Sequence, residues 1–167
     1  MKTILFFLSF LSISDSMLAQ AGVTADMKSL LVDRHNYYRQ IQGAPNVTWS
    51  DDLAADAQIW ADKIAKKDQL LHSDMQWGEN IYWSSEYETP QHVVDVWAAE
   101  QKYYNGEIIT DRNFSLFGHY TQLIWAKTTQ IGCAYAVSKK GGYYWVCEYN
   151  PAGNYTGEKP VDNYKKK

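Results

Sequence analysis

The chain is 167 residues long and carries a formal net charge of −3 at pH 7. This length suits one domain that is large enough to bury its own hydrophobic core. A slightly acidic chain lacks the excess of Lys and Arg that phosphate binding requires, so the composition argues against a nucleic-acid-binding protein. Aromatic residues make up 15% of the chain, and they suit a core, a lipid-facing cleft or a recognition surface.

The N-terminal 21 residues have the organisation of an export signal. Lys2 forms a short basic part, the run from Ile4 to Ile13 is largely apolar, and Ala19-Gln20-Ala21 offers a small-x-small cleavage pattern. An uncleaved membrane anchor is the alternative, but about ten apolar residues are too few for the roughly 20 that a spanning helix needs. We therefore expect a secreted mature chain that starts near Gly22 and does not span a membrane.

Helical periodicity dominates the first two thirds of the chain. Apolar residues at three- and four-residue steps predict a first helix from Asp26 to about Gln42. Ser50 is placed as the N-cap of a second helix, which ends in the charged cluster that begins at Lys66. A third helix is predicted from the Thr89-Pro90 cap to Tyr104, and a short fourth helix over Gly118 to Trp125.

The β-rich segments are fewer and shorter. Asn80 to Trp83 is predicted as a short strand, and the runs Ile131 to Val137 and Tyr143 to Tyr149 as an antiparallel hairpin joined by a glycine turn. Helices that flank a small antiparallel sheet predict an α+β layered domain over residues 22–160. Residues 161–167 end in three lysines and are predicted to be a flexible basic tail.

Two cysteines, Cys133 and Cys147, lie 14 residues apart on either side of the predicted turn. Export would place them in a compartment where disulfides persist, and the two strand-like runs bring them to opposite sides of a hairpin. The sequence therefore predicts a cross-strand disulfide. Two free buried thiols or a pair of metal ligands are the alternatives.

Two C-terminal segments carry the strongest motifs, Gly118-His119-Tyr120-Thr121-Gln122-Leu123-Ile124-Trp125 and Cys147-Glu148-Tyr149-Asn150-Pro151-Ala152-Gly153-Asn154. They closely resemble the two signature segments of the CAP superfamily, which groups cysteine-rich secretory proteins, wasp-venom antigen 5 and plant pathogenesis-related proteins. One departure is Glu148, where the superfamily more often has Asn. The resemblance covers roughly Ser29 to Pro160 and implies a three-layer αβα sandwich, the CAP or SCP domain.

The resemblance also implies a central cleft at four positions, and all four carry the expected residue types: His72, Glu79, Glu100 and His119. Neutral imidazoles suit a borderline cation such as zinc, and nearby carboxylates can orient them. With two protein nitrogens, His72 and His119, such a site binds a metal weakly. His35 and His92 match no cleft position.

Three interpretations of the cleft stay open. The two histidines bind a divalent cation, or they pair with the two glutamates in a purely structural way through charge-assisted hydrogen bonds. In the third interpretation the cleft belongs to a metal-assisted hydrolase, with Glu79 and Glu100 as candidate catalytic residues.

A lipid-binding loop is a separate possibility. Some members of the superfamily bind sterols or fatty acids, and the corresponding segment here is Tyr103 to Phe117, with Phe114 and Phe117 as the candidate lipid contacts. The alternative is that these rings belong to the core of the domain. If lipid binds, we expect it to depend on this loop and not on the histidine cleft.

The sequence is thus interpreted as a secreted, monomeric binding or defence-interaction module, with a metal-assisted, protease-like hydrolase as the alternative. The expected partners are a small apolar lipid, such as a sterol or fatty acid, and an extracellular protein of a host or pathogen. Three Asn-x-Ser/Thr sequons are glycosylation candidates in a eukaryotic source: Asn46, Asn113 and Asn154.

Overall fold

A computed structural model describes residues 22–166, so the predicted export signal lies outside the described part of the chain. Helices and strands are mixed along the sequence. The helices are α1 (Ala25–Gln42), α2 (Asp51–Lys67), α3 (Pro90–Ala98), a 3₁₀ helix (Ala99–Tyr103) and α4 (Phe114–Leu123), and the strands are β1 (Thr48–Trp49), β2 (Gly78–Ser84), β3 (Gln130–Val137) and β4 (Tyr143–Asn150).

Side-chain caps fix where the first three α-helices begin. The hydroxyl groups of Thr24, Ser50 and Thr89 each accept a hydrogen bond from the backbone N–H three residues further on. These bonds satisfy N–H groups that have no partner within the helix. Ser50 and Thr89 are the predicted caps, and Pro90 occupies the first turn of α3 as predicted.

The four strands form one sheet in the order β1-β3-β4-β2. The pairs β3–β4 and β2–β4 are antiparallel, whereas β1 runs parallel to β3. The prediction of a wholly antiparallel sheet is therefore correct for the three long strands and missed β1. Two residues are too short a segment for an alternating pattern to be visible in the sequence.

Helices cover both faces of the sheet. Ala57, Ala61 and Ile64 of α2 pack with Val146 on one face. On the other face a larger cluster joins residues of α1, α3 and α4 to the sheet, including Leu31, Val93, Trp97, Leu123 and Trp145. The result is a three-layer αβα sandwich with two hydrophobic cores, as expected for a CAP domain.

Two helix predictions were wrong at their ends. The third helix does not continue to Tyr104, because the chain tightens into the 3₁₀ helix after Ala98 and carries Glu100 there. The fourth helix begins four residues earlier than predicted, at Phe114, and is kinked at Phe117, where φ is −149°. Both changes draw Tyr104 and Phe117 into the core, where their ring centroids are 5.0 Å apart.

The segment that was predicted to be a flexible tail contacts the domain. Val161 is buried, and the Tyr164 ring packs against Tyr104 with ring centroids 4.7 Å apart. The backbone N–H and C=O of Lys165 both hydrogen-bond to the Gln42 side chain. These apolar contacts and the Gln42 bonds hold residues 161–166 on the domain, although the lysine-rich composition suggested a solvated segment.

Cys133 and Cys147 lie directly opposite each other on β3 and β4. Their sulfur atoms are bonded, and the Cα atoms are 4.0 Å apart, which confirms the predicted cross-strand disulfide. Of the helices described within residues 22–166, none is long and apolar enough to span a membrane.

Candidate functional site

Glu79 holds the loop that carries His72. This loop joins α2 to β2, and Glu79 is the second residue of β2. One carboxylate oxygen of Glu79 lies 2.5 Å from Nδ1 of His72 and also accepts the Ser73 backbone N–H at 3.0 Å. The Trp60 indole N–H donates to the Leu71 carbonyl at 2.8 Å. The loop is thus fixed on both sides of His72.

Glu100 holds His119 in a similar way. The kink at Phe117 interrupts α4, and the backbone N–H groups of His119 and Tyr120 both donate to Glu100 Oε2, at 2.9 and 3.2 Å. The other oxygen, Oε1, lies 2.7 Å from His119 Nδ1. Glu100 therefore caps the second half of the helix and orients the imidazole, which stacks on Trp97 at an interplanar angle of 17°.

The two histidines line the same cavity. This inner cavity has a volume of about 250 Å³, and its wall is formed by His72, Glu79, Asn80, Phe114, Ser115, Gly118 and His119. A neighbouring outer cavity of about 500 Å³ shares three of these side chains, those of His72, Glu79 and Phe114. His72, Glu79 and His119 thus line the inner cavity, whereas Glu100 does not line it and contacts His119. The His72 side chain is the more exposed of the two histidines, at 59%.

The hydrogen bonds of the imidazoles define which nitrogen is left for a ligand. A carboxylate only accepts, so Nδ1 carries the proton in both His72 and His119, and Nε2 keeps the lone pair of the neutral ring. Within residues 22–166 there is no group of three or more His, Cys, Asp or Glu side chains placed to hold a metal ion. A cation in this cleft would therefore need water for most of its coordination positions.

Ser73 does not have the hydrogen bonds of an activated nucleophile. Ser73 is the hydroxyl nearest to His72 in the sequence, but its Oγ accepts the backbone N–H of Met75, and His72 Nδ1 is engaged with Glu79. The described hydrogen bonds contain no pairing of the Ser73 hydroxyl with a base.

The candidate lipid contacts separate into two kinds. Phe114 is 43% exposed and lines both cavities, whereas Phe117 is 1% exposed and belongs to the core. Phe117 thus fits the alternative interpretation, in which the ring belongs to the core of the domain. Phe114 lies over Gly118, where an added Cβ would approach the ring to 2.7 Å. This ring lines the same cavity as His72 and His119, and the prediction that lipid binding depends on the loop and not on the imidazoles stays a prediction.

The second signature segment closes the outer cavity. The Gly153 N–H donates to the Gln122 side chain at 2.9 Å. Asn154 accepts a hydrogen bond from the Thr121 hydroxyl at 2.6 Å and donates its Nδ2 to the Gly118 carbonyl at 2.8 Å. This segment is therefore fastened to α4, and both the oxygen and the nitrogen of the Asn154 side-chain amide make a hydrogen bond. Asn46 is exposed, by contrast.

A buried network connects α1 to the cleft. His35 Nδ1 donates to the Leu31 carbonyl at 2.8 Å, so its Nε2 accepts from the Tyr149 hydroxyl at 2.9 Å. The Asn80 amide donates to that hydroxyl and to the His119 carbonyl. Burial lowers the pKa of His35 to about 4, which agrees with a neutral, structural imidazole.

Comparison with known proteins identifies the family of this chain. Residues 32–149 match the family model for CAP, the cysteine-rich secretory protein family. The chain belongs to this family. Pathogenesis-related protein 1A of Nicotiana tabacum is 38% identical over 154 residues, covering 92% of this chain and 89% of that protein. Venom allergen 5 of Polistes fuscatus is 36% identical over 177 residues, covering 88% and 84%.

Solved CAP structures share the fold of this chain. BmVAL-1 superimposes with a TM-score of 0.71 at 24% identity, covering 83% of this chain and 82% of that protein. NaASP2, whose crystal structure was determined with Zn2+, superimposes with a TM-score of 0.71 at 23% identity, covering 87% and 88%. At these identities the likeness concerns the fold.

One residue of this CAP domain was not assigned a role from its sequence. Glu148 is the departure from the usual Asn in the second signature, and its side chain is completely buried next to Glu79. One sequence feature could have drawn attention to it: Glu148 is an acidic residue within a strand whose residues from Tyr144 to Tyr149 are all buried.

Proposed function

We propose that this CAP domain is a secreted, non-enzymatic binding module whose cleft binds a divalent cation such as zinc weakly. His72 and His119 would hold the cation through Nε2, and Glu79 and Glu100 would keep both rings in the required tautomer. The supporting observation is the pair of Nδ1–carboxylate hydrogen bonds around one cavity. Histidines that ligate metals commonly donate their second N–H to a carboxylate in this way.

A bound cation would give the cleft a Lewis-acid centre with open coordination positions for water or a ligand oxygen. The protein itself contributes orientation and a partly enclosed cavity. A preformed pair of imidazoles reduces the ordering cost of binding, but two protein nitrogens keep the affinity low.

Calorimetric titration with zinc tests this proposal. The His72→Ala/His119→Ala double variant should lose the weak binding that the wild type shows. His92→Ala is the matched control, because His92 is an exposed imidazole on α3 that does not line either cavity. Binding that survives in the double variant, or disappears in His92→Ala, would place the metal elsewhere.

Secretion is supported by the export pattern in residues 1–21 and by the match to pathogenesis-related proteins and venom allergens. Sequencing the N-terminus of protein recovered from the medium of expressing cells tests it. We expect the first residue to be near Gly22, and an intact chain retained inside the cells would contradict this.

A second candidate function is binding of a small apolar ligand, such as a sterol or fatty acid, in the outer cavity. It is supported by the partly exposed Phe114 ring in the cavity wall, next to Ile109 and Trp77. Burying apolar surface contributes roughly 25 cal/mol per Å², so a single ring makes a measurable difference to the affinity.

The test compares Phe114→Ser with Leu116→Ser in binding assays with a sterol and a fatty acid. Leu116 is 55% exposed and lines neither cavity, so its replacement removes apolar surface of a similar kind outside the cleft. We expect only Phe114→Ser to weaken binding, by several-fold or more. Equal effects of both variants, or no binding by the wild type, would reject this function.

A further inference from the structure

Glu148 is the most unusual acidic residue of the domain. Its side chain is 0% exposed, and within residues 22–166 neither carboxyl oxygen receives a hydrogen bond from an N–H or O–H group. An ionised carboxylate in such a place has a high desolvation cost, which neighbouring donors normally offset. The surroundings of Glu148 therefore have to determine its protonation state.

The sheet register places Glu148 directly opposite Glu79. The two residues are partners in the antiparallel pairing of β2 with β4. Their side chains lie on the face covered by α2, because they alternate with Ile81 and Val146, which pack in the α2 core. Directly opposed Cβ atoms in such a pair are about 5 Å apart, so the two carboxyl groups lie next to each other. Two carboxyl groups form a hydrogen bond only when one of them carries the proton.

The neighbours decide which acid is protonated. Glu79 on β2 and Asp56 on α2 both act on Glu148 as negative charges. On β3 its register partner is Gly132, which has no side chain, and on β4 it is followed by the buried Tyr149. Burial, followed by the charge and hydrogen bond of Glu79 and the charge of Asp56, raises the pKa of Glu148 to about 9.

Glu79 has the opposite environment. It accepts the Ser73 N–H and lies against Nδ1 of His72, so donors surround its oxygens. It also lines both cavities, whereas Glu148 lies behind it and lines neither. Glu79 therefore stands between Glu148 and both cavities.

We propose that Glu148 is a positioning residue of the cleft: as a neutral acid it donates a hydrogen bond to Glu79 and so fixes the carboxylate that holds His72. These three side chains, His72, Glu79 and Glu148, form a row from the cavity wall into the space between the sheet and α2. This role concerns the orientation of His72 and applies whether or not the cleft binds a cation.

Infrared spectroscopy in D₂O tests the protonation state directly. Ordinary Asp and Glu side chains are ionised at neutral pH. We expect the wild type to keep a protonated-carboxyl C=O band at neutral pH that disappears as the pH is raised through about 9. Glu148→Gln, which preserves the shape of the side chain, should lack the band. Glu86→Gln is the matched control on an exposed glutamate and should keep it.

The absence of this band from the wild type would overturn the proposal, and so would its persistence in Glu148→Gln. Because the wild-type measurement needs no substitution, the test does not depend on whether a variant folds. It is also independent of zinc titration, so the failure of one proposal does not imply the failure of the other.

The positioning role has its own measurement, the ¹⁵N chemical shifts of the His72 ring at a pH where an ordinary imidazole is neutral. The wild type and Glu148→Gln, which keeps an N–H donor for Glu79, should show the Nδ1–H tautomer. Glu148→Leu removes the donor and should shift the ring toward a mixture of tautomers. An unchanged tautomer in a folded Glu148→Leu variant would show that Glu79 needs no support from Glu148.

Discussion

Phe114 and Phe117 differ in role although they are three residues apart in an apolar segment. Phe117 contacts Tyr104 in the core, and Phe114 is nearly half exposed on the cavity wall. We predict that Phe117→Ser lowers the free energy of unfolding by about 3–5 kcal/mol or more, as for other large-to-small core changes. Phe114→Ser should cost much less. Urea unfolding of both variants compares them, and equal losses would mean that Phe117 is not the core residue.

His35 makes stability depend on pH. Its pKa is about 4 in the folded chain, because burial outweighs the bond to Leu31, and 6.5 is the ordinary value. Between these values the unfolded chain binds more protons, so the contribution of neutral His35 to stability is lost as the pH falls from about 6.5 to 4.

We therefore predict that the stability difference between the wild type and His35→Gln shrinks as the pH falls through this window, as measured by chemical unfolding. The comparison with the variant is needed because Glu148 changes the free energy of unfolding with pH in the opposite direction. A raised pKa favours the fold at low pH, and this contribution is lost as the pH rises toward about 9. A pH-independent difference would mean that His35 is protonated inside the fold.

At the scale of elements, the final hairpin is held by both its strand pairing and its disulfide. Cys133 and Cys147 enclose a segment with a sequence separation of 14, and closing a loop of this size contributes roughly 3 kcal/mol in the loop-entropy model. We predict that Cys133→Ala/Cys147→Ala lowers the free energy of unfolding by about this amount. Urea unfolding of the oxidised wild type and the variant measures it, and identical midpoints would contradict the prediction.

The sequence indicated most elements because their signals are local. Ser50 and Thr89 are polar caps in front of apolar periodicity, and the hairpin strands are rich in aromatic and β-branched residues. Tertiary contacts decided the rest. The 3₁₀ turn that carries Glu100 and the kink at Phe117 depend on packing around Tyr104, and no local pattern encodes such contacts.

The sequence was sufficient to predict which residues form the candidate site, but not the contacts between them. The resemblance indicated His72, Glu79, Glu100 and His119, but it did not specify that each glutamate contacts Nδ1. The pairing of Glu79 with Glu148 depends on strand register. A shift of one residue would move Glu148 to the other face of the sheet, so its role becomes visible only in three dimensions.

For the whole molecule, the C-terminal segment is a structural part of the domain. Val161 and Tyr164 complete the large core, and Lys165 bonds to Gln42 at the end of α1. Deleting residues 161–167 should therefore lower the free energy of unfolding by about 2–4 kcal/mol through lost apolar burial. Thermal unfolding against a control that lacks only residues 166–167 measures the effect. Equal midpoints would restore the interpretation of a flexible tail.

The side chain of Asn154 fastens the second signature segment to α4. Its amide nitrogen, the atom to which an N-linked glycan is attached, is bonded to Gly118 in the finished domain. A glycosylated amide nitrogen keeps one N–H, so in a eukaryotic source a glycan at Asn154 would leave a single N–H for the bond to Gly118. Asn46 is exposed, so a glycan at that position would leave the contact of Asn154 with α4 unchanged.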